Sequence, residues 1–408
     1  MAERVTISAL GHSGDGIAET AGGRVFVPLA LPGEEVEIER DGPRGRLVEI
    51  IKPSAERVAP VCRHFGTCGT CALEHLERGA YLEWKRGIVA AAFAQRGIEA
   101  AVEAVESIGL GSRRRAVLSA VKTAGGVVLG FHRRGATEIV AIEECPVLAP
   151  AIVAHLPVLR ELVRILLPPG RPARIVVVAA DNGLDVAVFE ARKPDRGALE
   201  RIARFAADGT IARLTVDGRE IFLNRRPEVA AGSAVLFPAA GGFLQAAAPA
   251  EAALAETVVA HVGKAAPVAD LFAGIGTFTV RLAQRAAVTA VEGDATLIAA
   301  LDMAVRHARG LKPVTTRRRD LFRNPPAPVE LDAFGAVVFD PPAAGAKAVA
   351  EALAASKVAK VAAVSCNPAT LARDARILID GGYRLVRVKP VDQFLFSADV
   401  EVVATFAR

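Results

Sequence analysis

The chain has 408 residues, a formal net charge of +5 and an isoelectric point near 9.1, with 52% hydrophobic and 23% charged residues. That composition can bury sizeable cores in two or three domains and excludes a disordered chain. No uninterrupted run of about 18 apolar residues offers a membrane span, and the opening MAERVTISAL lacks the apolar stretch of a secretion signal, so a cytoplasmic protein with no membrane partner is expected.

Residues 1–55 read as short strands. VTISALG, GIAE, RVFVPLA, EEVEIER and GRLVEII alternate apolar and polar residues, and HSGDG, AGG, LPGE and DGPRG separate them as turns. Five strands in this span predict a small OB-like β-barrel, an architecture that often binds oligonucleotides. Residues 56–75 hold three cysteines and little periodicity, and 76–100 look helical. Strands RRAVLSAVKTAGG, VVLGFHRRG, RIVVVAADNG and LDVAVFEAR then mix with helical runs at 150–167 and 195–207. Together, residues 56–235 predict a central α+β domain.

From about residue 250 the pattern becomes regular. APVADLF, AVTAVEG, FGAVVFD, KVAAVSC, YRLVRVKP and VEVVATF read as strands; TFTVRLAQRA, ATLIAALDMAVRHARG, 346–356 and 368–380 read as helices. Alternating strand and helix implies a doubly wound, Rossmann-like sheet over 236–408. The last two strands have no helix between them, so one of the pair is expected to run antiparallel.

Three features of this half carry chemistry. In DLFAGIGTFTV a strand feeds a turn whose Gly274 and Gly276 allow a ligand to approach the backbone. Glu292 ends the next strand, where a carboxylate can accept both ribose hydroxyls of an adenosine. In VVFDPPAAG, Asp340 ends a strand at the edge where ligands of such sheets collect, and Pro341 and Pro342 turn the chain away. In VSCNPATLARD, Cys366 ends another strand before a helix with Asn367 as its cap and Pro368 in its first turn. Alone, Cys366 reads first as an inert buried thiol. With Asp340 at the same edge, and a helix dipole favouring the thiolate, a nucleophile is the better reading. Glu401 alone is an ordinary residue of the final strand.

FLQAA (243–247), DLFAGIGTFT, FDPPAAG, SCNPATLARD and VDQFLFSADVE, in that order, resemble the motif set of the RNA uridine-5-methyltransferases. The opening LGHSGDGIAE…VFVPLALPGEEVEIE is similar to their RNA-binding TRAM module. The resemblance spans the whole chain and implies a class I methyltransferase domain at 236–408. It implies that Cys366 adds to C6 of a uracil, that C5 is then methylated from S-adenosylmethionine, that Glu401 removes the C5 proton and that Asp340 orients the base. Gln245, Phe272, Gly274, Gly276, Thr277, Glu292, Asp320 and Asp340 match its cofactor positions. The residue types suit the chemistry: C5 is too weak a nucleophile until a thiolate has added beside it, and a base is then needed. The chain departs from the commoner pattern at Ala247, Thr277, Ala343 (where Arg is usual) and Asp399.

Cys62, Cys68, Cys71 and Cys145 remain. A cluster of three with a distant fourth followed by proline points to iron–sulfur ahead of zinc. The resemblance implies a 4Fe–4S cluster at these four residues, acting as a structural staple. It also implies an RNA partner, rRNA in preference to tRNA, and a monomer is expected. The basic runs SRRRAV, FHRRG, NRRP and TRRRD are compatible with RNA and weigh against a small-molecule or protein methyltransferase. A catalytically weakened RNA-binding protein on the same scaffold is the competing class, supported only by the altered DPPAAG.

Overall fold

A computed structural model describes residues 2–207 and 209–408. The N-terminal sheet has six strands in the order Ala2–Thr6, Glu35–Asp41, Arg44–Lys52, Gly23–Val27, Gly16–Thr20 and Ala9–Leu10. One buried row, including Val5, Ile7, Val25, Val27, Val36 and Ile38, forms its core. The stretch expected as a single strand, VTISALG, is broken in two. The Ile7 amide turns to the Glu34 carbonyl (2.9 Å) while the Ser8 amide goes to Ile17 (2.8 Å), so the two halves pair with different neighbours.

A seven-stranded sheet follows, ordered Ile139–Ala141, Gly126–His132, Arg115–Thr123, Pro172–Ala180, Gly183–Phe189, Ile211–Val216 and Arg219–Leu223. The helix Leu156–Leu166 buries Leu156, Leu159, Leu162, Val163 and Leu166, a helical repeat that makes one apolar face for this sheet.

The C-terminal sheet has eight strands: Val314–Arg318, Val288–Glu292, Val268–Leu271, Ala336–Phe339, Lys360–Ser365, Glu401–Ala407, Arg384–Asp392 and Glu106–Ser107. The first five run parallel. Glu401–Ala407 inserts antiparallel between Lys360–Ser365 and Arg384–Asp392, as the missing helix between the last two strands anticipated. This insertion carries Glu401 to the same edge as Cys366, because Ser365 pairs with Val402.

Several elements differ from expectation. The helix anticipated over TFTVRLAQRA is only Thr279–Leu282, in a stretch where β-branched residues oppose helix. The helix Ala248–Val262 was not anticipated, because it is buried on most sides and shows no amphipathic period. The edge strand Val314–Arg318 is largely exposed and lacks alternation. The helix Arg78–Ala94 falls in sequence within the span expected as the central domain. Its Val89 and Phe93 nevertheless pack with Leu271, Phe339 and Leu371 in the core of the C-terminal sheet, and Glu106–Ser107 joins that sheet as its edge strand. Among the described residues no helix is long and apolar enough to cross a membrane.

Candidate active site at the carboxyl edge of the sheet

The strand Lys360–Ser365 is buried and apolar, and half-buried Cys366 follows it at the sheet edge. The Asn367 side chain accepts the amides of Ala369 (3.0 Å) and Thr370 (3.4 Å), capping the helix Pro368–Asp380. The same side chain donates to the Ala343 carbonyl (3.1 Å), which also accepts the Thr370 hydroxyl (3.1 Å). The Asp-Pro-Pro loop is thus tied to the helix that follows the cysteine, although Ala343 offers no guanidinium. The local backbone favours the thiolate, as the helix start suggested, but it is outweighed: burial first, then the neighbouring Glu401 and Asp340, push the Cys366 thiol up to about 11.

Asp340 and Glu401 are joined by two glutamines. Gln245 donates from Nε2 to Asp340 Oδ2 (3.0 Å). Gln393 donates from Nε2 to both Gln245 Oε1 (2.7 Å) and Glu401 Oε2 (3.1 Å). Gln245, Gln393 and Glu401 are all buried, so these bonds form with little water to compete. Burial raises the Asp340 carboxyl to about 7, with the Gln245 amide opposing. Burial also raises Glu401 well above the usual carboxylate range, helped by the charge of Asp340 and opposed by the Gln393 amide. A carboxylate that holds protons this strongly is a far better base than one in water. Gln393 escaped the sequence reading although it lies in VDQFLFSADVE, because an amide has no titration signature and its neighbour Glu401 attracted the weight.

The loop from Gln393 to Val400 is held from below. Tyr81 and Lys85, one turn apart on the helix Arg78–Ala94, both donate to Asp392 Oδ1. Lys85 also donates to the carbonyls of Phe394 (3.0 Å) and Asp399 (2.6 Å), and the Tyr81 hydroxyl accepts the Phe396 amide (2.8 Å). Lys85 and Asp392 have no exposed side-chain surface, so neither charge is tolerable without the other. Nothing in the linear pattern marked this pair, whose members lie at opposite ends of the chain.

On the other side of the edge, the turn after Val268–Leu271 takes Phe272, Gly274 and Gly276 to positive φ. Gly276 has φ +102°, a conformation that a side chain strains, and a Cβ there would stand 2.5 Å from Leu301 Cδ1, which would have to shift. Glu292 faces this turn: one oxygen accepts the Gly274 amide (3.1 Å), the other those of Gly293 (2.6 Å) and Asp294 (2.9 Å). Half-buried Thr277 continues the turn. Asp320 caps the next turn through the amides of Phe322 (3.0 Å) and Arg323 (3.1 Å), and the rings of Phe272 and Phe322 lie 5.3 Å apart. The structure therefore gathers Phe272, Gly274, Gly276, Thr277, Glu292 and Asp320 beside the Asp340–Gln245 pair. Buried Asp270 supports the turn from beneath, accepting the Thr279 hydroxyl on one oxygen, and burial raises its carboxyl to about 7.

Cys62, Cys68, Cys71 and Cys145 line one cavity with Phe65, Phe131 and Ile142, and no disulfide joins them. The side chains as placed do not close into a ligand shell: among the described residues no group of three or more His, Cys, Asp or Glu stands ready to hold a metal ion. Burial pushes the thiols of Cys62, Cys71 and Cys145 up, and their mutual charge adds to it. The cysteine loop also touches the catalytic loop, since the amides of Ala72 and Leu73 both donate to the Phe396 carbonyl (2.8 and 3.1 Å).

Residues 2–39 match the TRAM domain family. A Brucella suis protein named as an RNA methyltransferase is 46% identical over 405 residues, covering 99% of this chain and 98% of its own length. The 23S rRNA (uracil(1939)-C(5))-methyltransferase of Chromohalobacter salexigens is 35% identical over 430 residues, covering 100% of this chain and 90% of its own. The solved structure of Pyrococcus abyssi tRNA (uracil-54, C5)-methyltransferase, in complex with S-adenosyl-L-homocysteine, superposes with a TM-score of 0.76 at 23% identity, over 99% of this chain and 100% of that one. That likeness shows a shared fold. With a TRAM match at the N-terminus and end-to-end similarity to a named uracil-C5 enzyme, the chain belongs to the RNA uracil-C5-methyltransferase family.

Proposed function

We propose that the protein methylates C5 of one uridine of 23S rRNA through a covalent bond between Cys366 Sγ and C6 of the base. The observation that carries this reading is the convergence of Cys366, Asp340 and Glu401 on one sheet edge, with Gln245 and Gln393 linking the carboxylates. Cys366 gives its proton to solvent and its thiolate bonds to C6; the C5–C6 π pair moves toward the C4 carbonyl, and C5 becomes nucleophilic. S-adenosylmethionine, when bound, supplies an electrophilic methyl group at this edge. Glu401 then takes the C5 proton, the electron pair re-forms the C5–C6 double bond, and the sulfur leaves. Asp340, held by Gln245, orients the uracil. The target base must leave its stack to reach the thiol.

Gln245, Phe272, Gly274, Gly276, Thr277, Glu292, Asp320 and Asp340 would hold the methyl donor. The chemistry of this set fits a nucleoside: an aromatic pair for a base, a carboxylate at a strand end for ribose hydroxyls, and a turn whose two glycines take positive φ and leave the backbone open to a ligand. Cys62, Cys68, Cys71 and Cys145 would hold the 4Fe–4S cluster. Four soft sulfur donors around an apolar cavity fit iron–sulfur, and a bound cation would reverse the rise that burial gives the thiols of Cys62, Cys71 and Cys145. In that role the cluster braces the loop that supports Phe396. Ribosomal RNA is favoured over tRNA because a relative 35% identical from end to end is named as a 23S rRNA enzyme.

Mapping 5-methyluridine in rRNA and tRNA from a deletion strain tests the substrate. The expected result is loss at a single 23S position with tRNA unchanged. Loss confined to tRNA would move the substrate, and loss nowhere would overturn the reading.

A further inference from the structure

Beside the nucleophile lies a second opening. A cleft of about 350 Å³ runs between the N-terminal sheet, the helix Arg78–Ala94 and the start of the helix Pro368–Asp380. Leu10 and His12 form one wall, Trp84 and Gly87 the floor, and Asn367 and Pro368 the end nearest the active site. Cys366 is the residue before Asn367, so the lining of the cleft comes within one residue of the reacting thiol. We propose that this cleft receives a second nucleobase of the RNA, one adjacent to the target uridine, stacked on Trp84. The proposal rests on the reading that Cys366 attacks a uridine of RNA.

Four observations carry it. The volume falls in the range of small-molecule sites, roughly 300–1,000 Å³. Trp84 is half-buried, presents part of its ring system to the cleft, and is backed at 6.5 Å by Tyr81, itself fixed by Asp392. Unpaired RNA bases are commonly taken by aromatic side chains in this way, with polar groups reading their edges, and His12 lines the cleft as such a group. Finally, Gly87 sits in mid-helix, where glycine is the least favourable residue after proline. No φ requirement or packing explains it: a Cβ built there meets no atom within 4 Å, only the open cleft. Extruding the uridine also unstacks its neighbours, which then need a surface of their own.

Trp84 is the only tryptophan of the chain, so its fluorescence reports on this cleft alone. Unmodified transcripts of 23S rRNA and of the tRNA set serve as probes, each also made with 5-fluorouridine. We expect saturable quenching of Trp84 by the transcript that forms the covalent adduct. Gly87→Met fills the cleft without crowding the helix and is expected to raise the RNA KM about ten- to hundredfold, the effect of losing one base–aromatic stack, with the methyl-donor KM unchanged. Gly87→Ala, which adds one methyl group to open space, is expected to keep the wild-type KM. Adduct formation with neither quenching nor a KM change in Gly87→Met overturns the cleft and leaves the function standing. Quenching by a transcript that forms no adduct supports the cleft and sinks the covalent reading.

Discussion

Replacing Gln393 by leucine removes the amide that donates to Glu401 Oε2 (3.1 Å) and Gln245 Oε1 (2.7 Å) while keeping the side chain near its size. A hydrogen bond to an ionised group contributes about 1.5–3 kcal/mol. Losing it raises the Glu401 carboxyl further, because the bond stabilises the charged form. That carboxyl already lies well above its usual range, and a loss of about 1.5–3 kcal/mol in holding the ionised form lowers the ionised fraction by up to roughly ten- to hundredfold. Release of tritium from C5-labelled uridine in RNA follows proton removal by Glu401. We expect kcat for this release to drop by the same factor at neutral pH and to recover as pH is raised, with the RNA KM little changed. An unchanged pH profile would refute the link between Gln393 and the base. A loss that stays constant across pH would show that the substitution only damages the fold.

Other perturbations read other parts of the site. Alkylation of Cys366 by iodoacetamide, located by peptide mass, should follow a thiol near pH 11 and move lower in Glu401→Gln, by about one unit or less because burial is the larger cause. A wild-type thiol titrating near 7 would mean that the helix N-terminus outweighs burial. Lys85→Met leaves Asp392 in the interior without its cation, with only the Tyr81 hydroxyl to hold it, a loss of about 3–5 kcal/mol in denaturant unfolding, and Lys85→Met with Asp392→Leu should regain most of it; equal stability of the single variant and the wild type would contradict this. The anaerobically purified protein should carry iron and acid-labile sulfide in equal amounts, and Cys71→Ser should lose both; zinc in their place would identify a different metal site.

The sequence revealed the residues that chemistry marks and missed those that only folding brings together. Cys366, Asp340 and Glu401 were legible because each ends or begins a strand, and strand ends meet at one edge of a doubly wound sheet. The cofactor turn was legible from its glycines. Gln393 and the Lys85–Asp392 pair were not, since their meaning lies in partners up to three hundred residues away. The net direction of the thiol shift was not legible from local pattern. The helix cap was visible in SCNP, but the burial and the two carboxylates that outweigh it come from other strands. The buried helix Ala248–Val262 shows the same limit, as burial on most sides erases the amphipathic signal.

The central claim is a bond from Cys366 to C6 of a uridine. Incubating the protein with S-adenosylmethionine and 5-fluorouridine-substituted 23S rRNA blocks proton removal at C5 and should trap that bond. Tryptic digestion should then yield the peptide VAAVSCNPATLAR with a methylated fluorouridine nucleotide on Cys366, and Cys366→Ser should yield none. Methylated RNA recovered without any adduct, or an adduct on a different residue, would contradict the account.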